Sequence, residues 1–348
     1  MFIPQETDSR RLPVILLSGF LGSGKTTLVN ALLKDPRLAE TAVAINEFGA
    51  IPLDQHLIES GEDSTVVMAN GCLCCNLSGD LEDAVMRVFS RRSRGELPSF
   101  RRLIVEPSGL ADPAPIAQAI LRNPVMSRAL RFDGIVTVVD ALFAEQQLRR
   151  HPETRKQVSL ADHLVIAKSD LLENAAALEH VQSLLRERNP AAPIHVAKMG
   201  HVDAVALFPP GFLDHDAPWS AGIERFVETV SDNPHAAHGV SAICLTADRP
   251  LRWRAFDEWL REIRIAQSER LLRVKGLLHV AGAKGPLVIH GVHHVVHPPV
   301  ELAAWPDSDR RTRIVLIVQD IAPSTIEARW RDALPTMIEP ERTFACAL

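Results

Sequence analysis

From Val14 to Ala197 the chain repeats one local pattern, a short β-branched run followed by a longer amphipathic stretch. The runs Val14–Ser18, Thr41–Asn46, Thr65–Ala69, Leu103–Glu106, Gly134–Asp140, Leu164–Lys168 and Ile194–Ala197 predict strands. The stretches Lys25–Leu33, Leu77–Ser90, Ala114–Leu121, Leu142–Arg150 and Ala175–Arg188 predict helices. Strands that alternate with helices pair in parallel, because each helix carries the chain back across a sheet face before the next strand begins. The expected fold class is therefore α/β, with a mostly parallel, doubly wound sheet. Between about 207 and 239 the texture changes to punctuation such as Phe208-Pro-Pro-Gly-Phe212. Beyond it, strands near 240–246, 271–281, 286–291 and 313–320 and helices over 253–266 and 324–334 predict a smaller α+β layer. The expected division is 1–206, a linker over 207–238, and 239–348.

The first strand runs into Gly19-Phe-Leu-Gly22-Ser23-Gly24-Lys25-Thr26-Thr27, and a helical stretch follows. This is a P-loop in the strand–loop–helix frame that such a loop requires. Glycines let backbone N–H groups wrap a β-phosphate, the Lys25 ammonium offsets phosphate charge, and the Thr26 hydroxyl can ligate Mg²⁺. Gly19, Gly22, Ser23, Gly24, Lys25, Thr26 and Thr27 are thus the candidate contacts of a nucleoside triphosphate. Leu103-Ile-Val-Glu106-Pro-Ser-Gly109 ends a strand in an acid with a glycine three residues on. Beside a P-loop, such an acid reaches the Mg²⁺ shell, and the glycine can turn its N–H toward the γ-phosphate. In Ala167-Lys168-Ser169-Asp170 the Asp170 carboxylate can accept hydrogen bonds from guanine N1–H and N2–H, and the Lys168 stem can stack along the base. Leaving that carboxylate unpaired over adenine would be costly. Ala167 stands where GTPases usually carry Asn, so one base contact is missing. The alternative for Asp170 is a plain helix cap.

Asn70-Gly71-Cys72-Leu73-Cys74-Cys75-Asn76 is expected in a loop between a strand and a helix, with three thiols in one turn converging on one ion. Thiolates suit Zn²⁺, Cu⁺ and related soft or borderline metals. A closed structural zinc site takes four ligands and this cluster supplies at most three; Glu47, His56, water or a partner's residue could complete it. An incomplete shell suits transfer better than scaffolding.

Total charge narrows the partners. Lys plus Arg number 38 against 43 Asp plus Glu, a net charge of −5, so no large basic excess marks the chain for nucleic acid or anionic membrane. No run approaches the roughly 18 apolar residues of a spanning helix. Five cysteines, an odd number with three crowded together, predict reduced thiols and a cytoplasmic address. Five histidines fall between 279 and 297: His279, His290, His293, His294 and His297. If the strand runs on through them, His293 and His297 share one face and His290 and His294 the other, either as a partly solvated sheet surface or as a secondary metal-loading or client-contact site. The stripe Trp253, Phe256, Trp259, Leu260, Ile263 predicts a core-facing helix. The arginines from Arg87 to Arg102 predict a solvated helix end.

Taken together, the P-loop, Asn46-Glu-Phe-Gly49, Gly71-Cys-Leu-Cys-Cys75, Glu106-Pro-Ser-Gly-Leu110, Val138-Val-Asp-Ala141, Ala167-Lys-Ser-Asp170, Arg273-Val-Lys-Gly276 and Gly291-Val-His-His-Val-Val-His-Pro-Pro299 resemble the CobW-like family of metal-handling GTPases, relatives of the nickel-insertion GTPases for urease and hydrogenase. The resemblance spans nearly the whole chain. It implies a GTPase that takes a transition metal at Cys72, Cys74 and Cys75, Zn²⁺ first and Co²⁺ second, and releases it to a client protein on GTP hydrolysis. It further implies Lys25, Glu47 and Glu106 as catalytic, Thr26, Asp54 and Glu106 near Mg²⁺, Glu47 as a possible cargo ligand, and Gly109, Lys168 and Asp170 as nucleotide contacts. Ala50, where many relatives carry an acid, and Ala167 are departures that bear on hydrolysis rate and base affinity. The competing classes are a P-loop small-molecule kinase with structural cysteines and a non-catalytic metal store or sensor.

Overall fold

The computed structural model describes residues 11–45, 65–67, 73–76, 88–208 apart from 89, 93 and 98, 210–213, and 239–338 apart from 269, 297 and 307; side chains are described throughout except at 65–67, 73–76, 210 and 211. The first eight strands are β1 (Leu12–Ser18), β2 (Thr41–Ile45), β3 (Thr65–Val67), β4 (Leu73–Asn76), β5 (Arg102–Glu106), β6 (Leu130–Asp140), β7 (His163–Ala167) and β8 (Ile194–Val196). They form one sheet in the order β3-β4-β2-β5-β1-β6-β7-β8, parallel except for the β3/β4 pair. This is the doubly wound α/β sheet that the alternation predicts.

Burial explains the continuous apolar runs. All of β1 is buried, since both faces are covered, and its residues alternate between two cores. Ile15 and Leu17 join Val43, Ile104, Val136 and Val138 against Leu28, Val29 and Leu32 of α1 (Lys25–Leu32). Val14 and Leu16 join Ala42, Ala44, Leu103 and Val105 on the opposite face, against Ala114, Ala117, Ile120 and Leu121 of α2 (Pro113–Arg122). Past β6, helices α3 (Ala144–Arg150), α4 (Pro152–Leu160) and α5 (Ala175–Arg188) cover Val139, Leu164 and Ile166. The sequence pattern did not predict α4; its mean hydrophobic signal is weak because it buries polar Thr154, Gln157 and Ser159. Leu207, Phe208 and Phe212, at the start of the expected linker, pack into the α1 core.

The second sheet is antiparallel. Its strands β9 (Val240–Ala247), β10 (Leu271–Leu278), β11 (Leu287–Val292), β12 (Val295–Val296), β13 (Val300–Glu301) and β14 (Thr312–Gln319) run β12-β11-β10-β14-β9, with β13 also beside β11. One face packs on α6 (Trp253–Ala266) and α7 (Pro323–Met337), where Phe256, Trp259, Leu260 and Ile263 are buried as the stripe predicts. The other face, through Ala242, Leu272, Leu277, Val288, Val315 and Ile317, shares a core with β1, β5 and α2 of the first sheet.

That junction also holds charge. Asp162, between α4 and β7, meets Arg273 Nη2 at 2.5 Å and Lys275 Nζ at 2.6 Å, and all three are buried. Arg131 and Asp133 of β6 form a buried pair at 2.7 Å. Burial opposes ionisation of Asp162, yet Arg273, Lys275 and His290 around it hold its carboxyl well below the usual range.

Two local expectations are corrected. Leu73–Asn76 is not a loop entering a helix but strand β4, paired with β2 in parallel and β3 antiparallel. His293 and His294 do not continue a strand; they are the two-residue turn of the β11/β12 hairpin, with His293 at φ 52°. His297 lies outside the described residues.

Candidate functional site

The glycine loop opens at the carboxyl end of β1, in the middle of the sheet, where β5 and β6 flank it on either side. Gly19, Gly22 and Gly24 all have positive φ, at 143°, 70° and 101°. At Gly19 a Cβ would fall 2.4 Å from the Val138 carbonyl oxygen, so both conformation and space demand glycine. Gly24 caps α1 in the left-handed conformation without a side-chain bond, which leaves the helix N-terminus facing the loop. The Lys25 ammonium lies inside the turn, donating to the carbonyls of Gly19 at 3.0 Å and Phe20 at 3.3 Å. Ser23 is buried and its hydroxyl makes no hydrogen bond among the described residues.

Thr26 and Glu106, far apart in sequence, meet at the loop's edge, where the Thr26 hydroxyl donates to Glu106 Oε1 at 3.1 Å. Glu106 is 4% exposed and ends β5. A hydroxyl and a carboxylate in contact beside a phosphate loop are the hard oxygen donors that suit Mg²⁺. Gly109 presses on the loop from the same side. A Cβ there would sit 2.6 Å from the Leu21 backbone nitrogen.

Across the loop, Lys168 adopts φ 59° and extends its ammonium to the Gly22 carbonyl at 2.8 Å and to Asp140 Oδ2 at 2.7 Å. Asp140, the buried last residue of β6, also accepts from the Leu142 amide at 2.9 Å. The sequence reading assigned no role to Asp140. Its signal was present in the acid that closes the run Ile135–Val139, apolar but for Thr137, much as Glu106 closes Leu103–Val105. Asp170 is exposed and lies inside a 3₁₀ turn, Ser169–Leu171, whose cap is Lys168. The capping alternative therefore fails for Asp170. Its Oδ1 accepts from the Met199 amide at 3.4 Å, and Ser169 ties the turn to the Ala197 carbonyl at 2.8 Å. Ala167 faces the loop, 3.5 Å from where a Gly24 Cβ would stand.

The sheet register fixes where the thiol-bearing segment lies. Ala44 of β2 pairs with Cys75 on one side and Val105 on the other, and Ile45 pairs with Asn76 and with Glu106. The backbone of Cys75 is thus two strand spacings, about 10 Å, from the β5 residue preceding Glu106. Cys74 and Cys75 are described as backbone only; Glu47, Asp54, His56 and Cys72 lie outside the described residues, as does most of the predicted helix over 77–90. Among the described residues no group of three or more His, Cys, Asp or Glu side chains could hold a metal, and no helix is long and apolar enough to cross a membrane.

Residues 13–196 match the CobW/HypB/UreG nucleotide-binding domain, and residues 240–334 match the cobalamin synthesis protein CobW C-terminal domain. The chain is 29% identical to the zinc chaperone YjiA of Escherichia coli, over 91% of this chain and 97% of that protein. It is 28% identical to the zinc chaperone CobW of Pseudomonas aeruginosa, over 95% and 94%. The crystal structure of Zn(II)-bound YjiA GTPase superposes with a TM-score of 0.65 at 27% identity, covering 93% of this chain and 99% of that one. With the glycine loop, the Glu106 strand end and both domains matched in one chain, this protein belongs to the CobW/HypB/UreG family.

Proposed function

We propose that this chain is a GTPase that carries a transition-metal ion on Cys72, Cys74 and Cys75 and yields it to a metal-requiring client protein when GTP is hydrolysed. The observation that carries the reading is the Thr26–Glu106 contact beneath the glycine loop, at the strand end that pairs, through Ile45, with the end of the cysteine strand. GTP would lay its phosphates along residues 19–27, with Lys25 leaving its carbonyl partners for them and the Gly109 N–H meeting the γ-phosphate. Asp170 would accept from the guanine edge, and Lys168, braced by Asp140, would lie along the base. Thr26 and Glu106, joined by Asp54, would hold Mg²⁺, which offsets phosphate charge when bound. Glu47 would orient the attacking water or reach the cargo. Zinc is the first cargo and cobalt the second; the names of the relatives, zinc chaperones both, support that order. A cytoplasmic address follows from the reduced thiols that the cargo needs.

Phosphate release with no added acceptor tests the reading. The expected result is turnover of GTP in strong preference to ATP, lost by about 10²-fold or more in Lys25→Ala. Release that requires a small-molecule acceptor would favour the kinase class, and no release with or without Zn²⁺ would favour a store or sensor.

A further inference from the structure

Gln157 lies at the centre of α4, fully buried, on a helix that carries no predicted site residue. Its side-chain Nε2 donates to the carbonyl of Gly109 at 3.0 Å and to that of Ala111 at 3.1 Å. Its own backbone carbonyl accepts from the Thr137 hydroxyl of β6 at 3.0 Å, so the residue is anchored to the sheet while its amide reaches the loop that follows β5. The Oε1 atom is buried and makes no hydrogen bond among the described residues. Turning the amide over would set that oxygen against two carbonyls, so the donor assignment is forced by chemistry. A buried amide whose acceptor goes unused is costly to keep. Its donors are what the fold uses.

Those donors hold a loop that is already confined from the other side. Gly109 abuts the backbone of Leu21 in the glycine loop so closely that no Cβ fits between them. Ala111 closes a turn onto the Ser108 carbonyl at 2.9 Å, and Asp112 pairs with Lys156, the neighbour of Gln157, at 2.6 Å. The peptide planes on either side of Gly109 are therefore set between the glycine loop and α4. We infer that Gln157 is a positioning residue for the γ-phosphate, fixing the Glu106–Gly109 segment in the geometry that distinguishes GTP from GDP. The inference rests on the GTPase reading above, because only there does the Gly109 N–H meet a γ-phosphate.

The test compares full-length wild type with Gln157→Met, which keeps chain length and removes both donors. The measurements are affinity for GDP, affinity for a non-hydrolysable GTP analogue, and GTP turnover. The expected result is GDP affinity within about twofold of wild type, analogue affinity at least about tenfold weaker, and kcat at least about tenfold lower, since two buried carbonyls lose their partner only where the γ-phosphate is sensed. A purely structural role would weaken both nucleotides alike. Equal factors for GDP and analogue, or no change in either, would overturn the inference. Gln157→Asn keeps the amide but withdraws it by one methylene; it carries the same expectations and decides the matter if Gln157→Met does not fold. A wild-type chain that neither prefers the analogue nor releases phosphate would instead overturn the GTPase reading, and the role of Gln157 with it.

Discussion

At the residue scale, the same side-chain type does opposite work according to what the backbone offers it. Of the arginines expected to cover a solvated helix end, Arg101 pairs with Glu40 at the surface, whereas Arg102 is 5% exposed. Its guanidinium donates to the carbonyls of Arg37, Ala39, Phe212 and Leu213, four acceptors that no local pattern announces. The Lys168–Asp140 pair is similar. Lysine at 168 is legible from the motif, but its role as a strut across the glycine loop depends on a strand end 28 residues away. Asp140→Asn should release that strut and weaken GTP binding about tenfold, with thermal stability changed much less, because the Lys168 end is partly exposed and can be rehydrated, and the Leu142 amide keeps an oxygen acceptor at position 140. Calorimetric titration of GTP checks it; unchanged affinity would leave Lys168 without a role in holding nucleotide. Gly109→Ala, which forces a methyl against the Leu21 backbone, should cost at least as much nucleotide affinity.

At the element scale, periodicity located most strands because β1, β5 and β6 are buried on both faces, so that β1 and Leu103–Val105 of β5 carry unbroken apolar runs and the second half of β6 a nearly unbroken one. It missed what long-range pairing decides. Leu73–Asn76 is a strand because β2 and β3 offer it ladder partners, although glycine before it and a helical stretch after it suggested a turn. The His293-His294 turn was missed because neither of its two residues is the glycine, asparagine or aspartate that usually marks a two-residue hairpin turn. Helix α4 went unseen for its polar face, yet it joins the parts: Gln157 holds the Gly109 loop, and Asp162, just past its end, holds Arg273 and Lys275 of the second sheet. Asp162→Asn should destabilise the fold by about 3–5 kcal/mol, since two buried cations lose their counter-charge. Chemical denaturation at neutral pH measures it. The pH dependence follows from the sign of the Asp162 shift. Its carboxyl titrates lower in the folded chain than in the unfolded one, near 3.9, so its contribution is complete above about pH 5 and is lost as pH falls through and below 4. Acid destabilisation over that window should be smaller in Asp162→Asn than in wild type; identical slopes would contradict the placement of this charge.

At the scale of the whole molecule, the two sheets are not beads on a string. The face of the second sheet that carries Val315 and Ile317 completes the core begun by Val14, Leu16 and Ala117, and the buried ionic cluster lies in the same junction. Among the described residues, the apolar side chains of both sheets on that side belong to one cluster. Calorimetry should therefore show one cooperative unfolding transition for the full chain, and two well-separated transitions would contradict the shared core. The same continuity gives the proposed activity its physical basis. The glycine loop closes β1, the Glu106 strand is its neighbour, and the cysteine strand lies two strand spacings beyond that, across β2, so a change at the triphosphate felt at Glu106 has those two spacings to cross before it reaches the cysteine segment. Each tenfold change in metal affinity between nucleotide states requires about 1.4 kcal/mol of such coupling. Competitive titration of Zn²⁺ into the apo protein, once with a non-hydrolysable GTP analogue and once with GDP, measures that coupling directly. The account predicts at least tenfold tighter Zn²⁺ binding with the analogue, abolished in Cys74→Ala; equal affinity in the two states would contradict it.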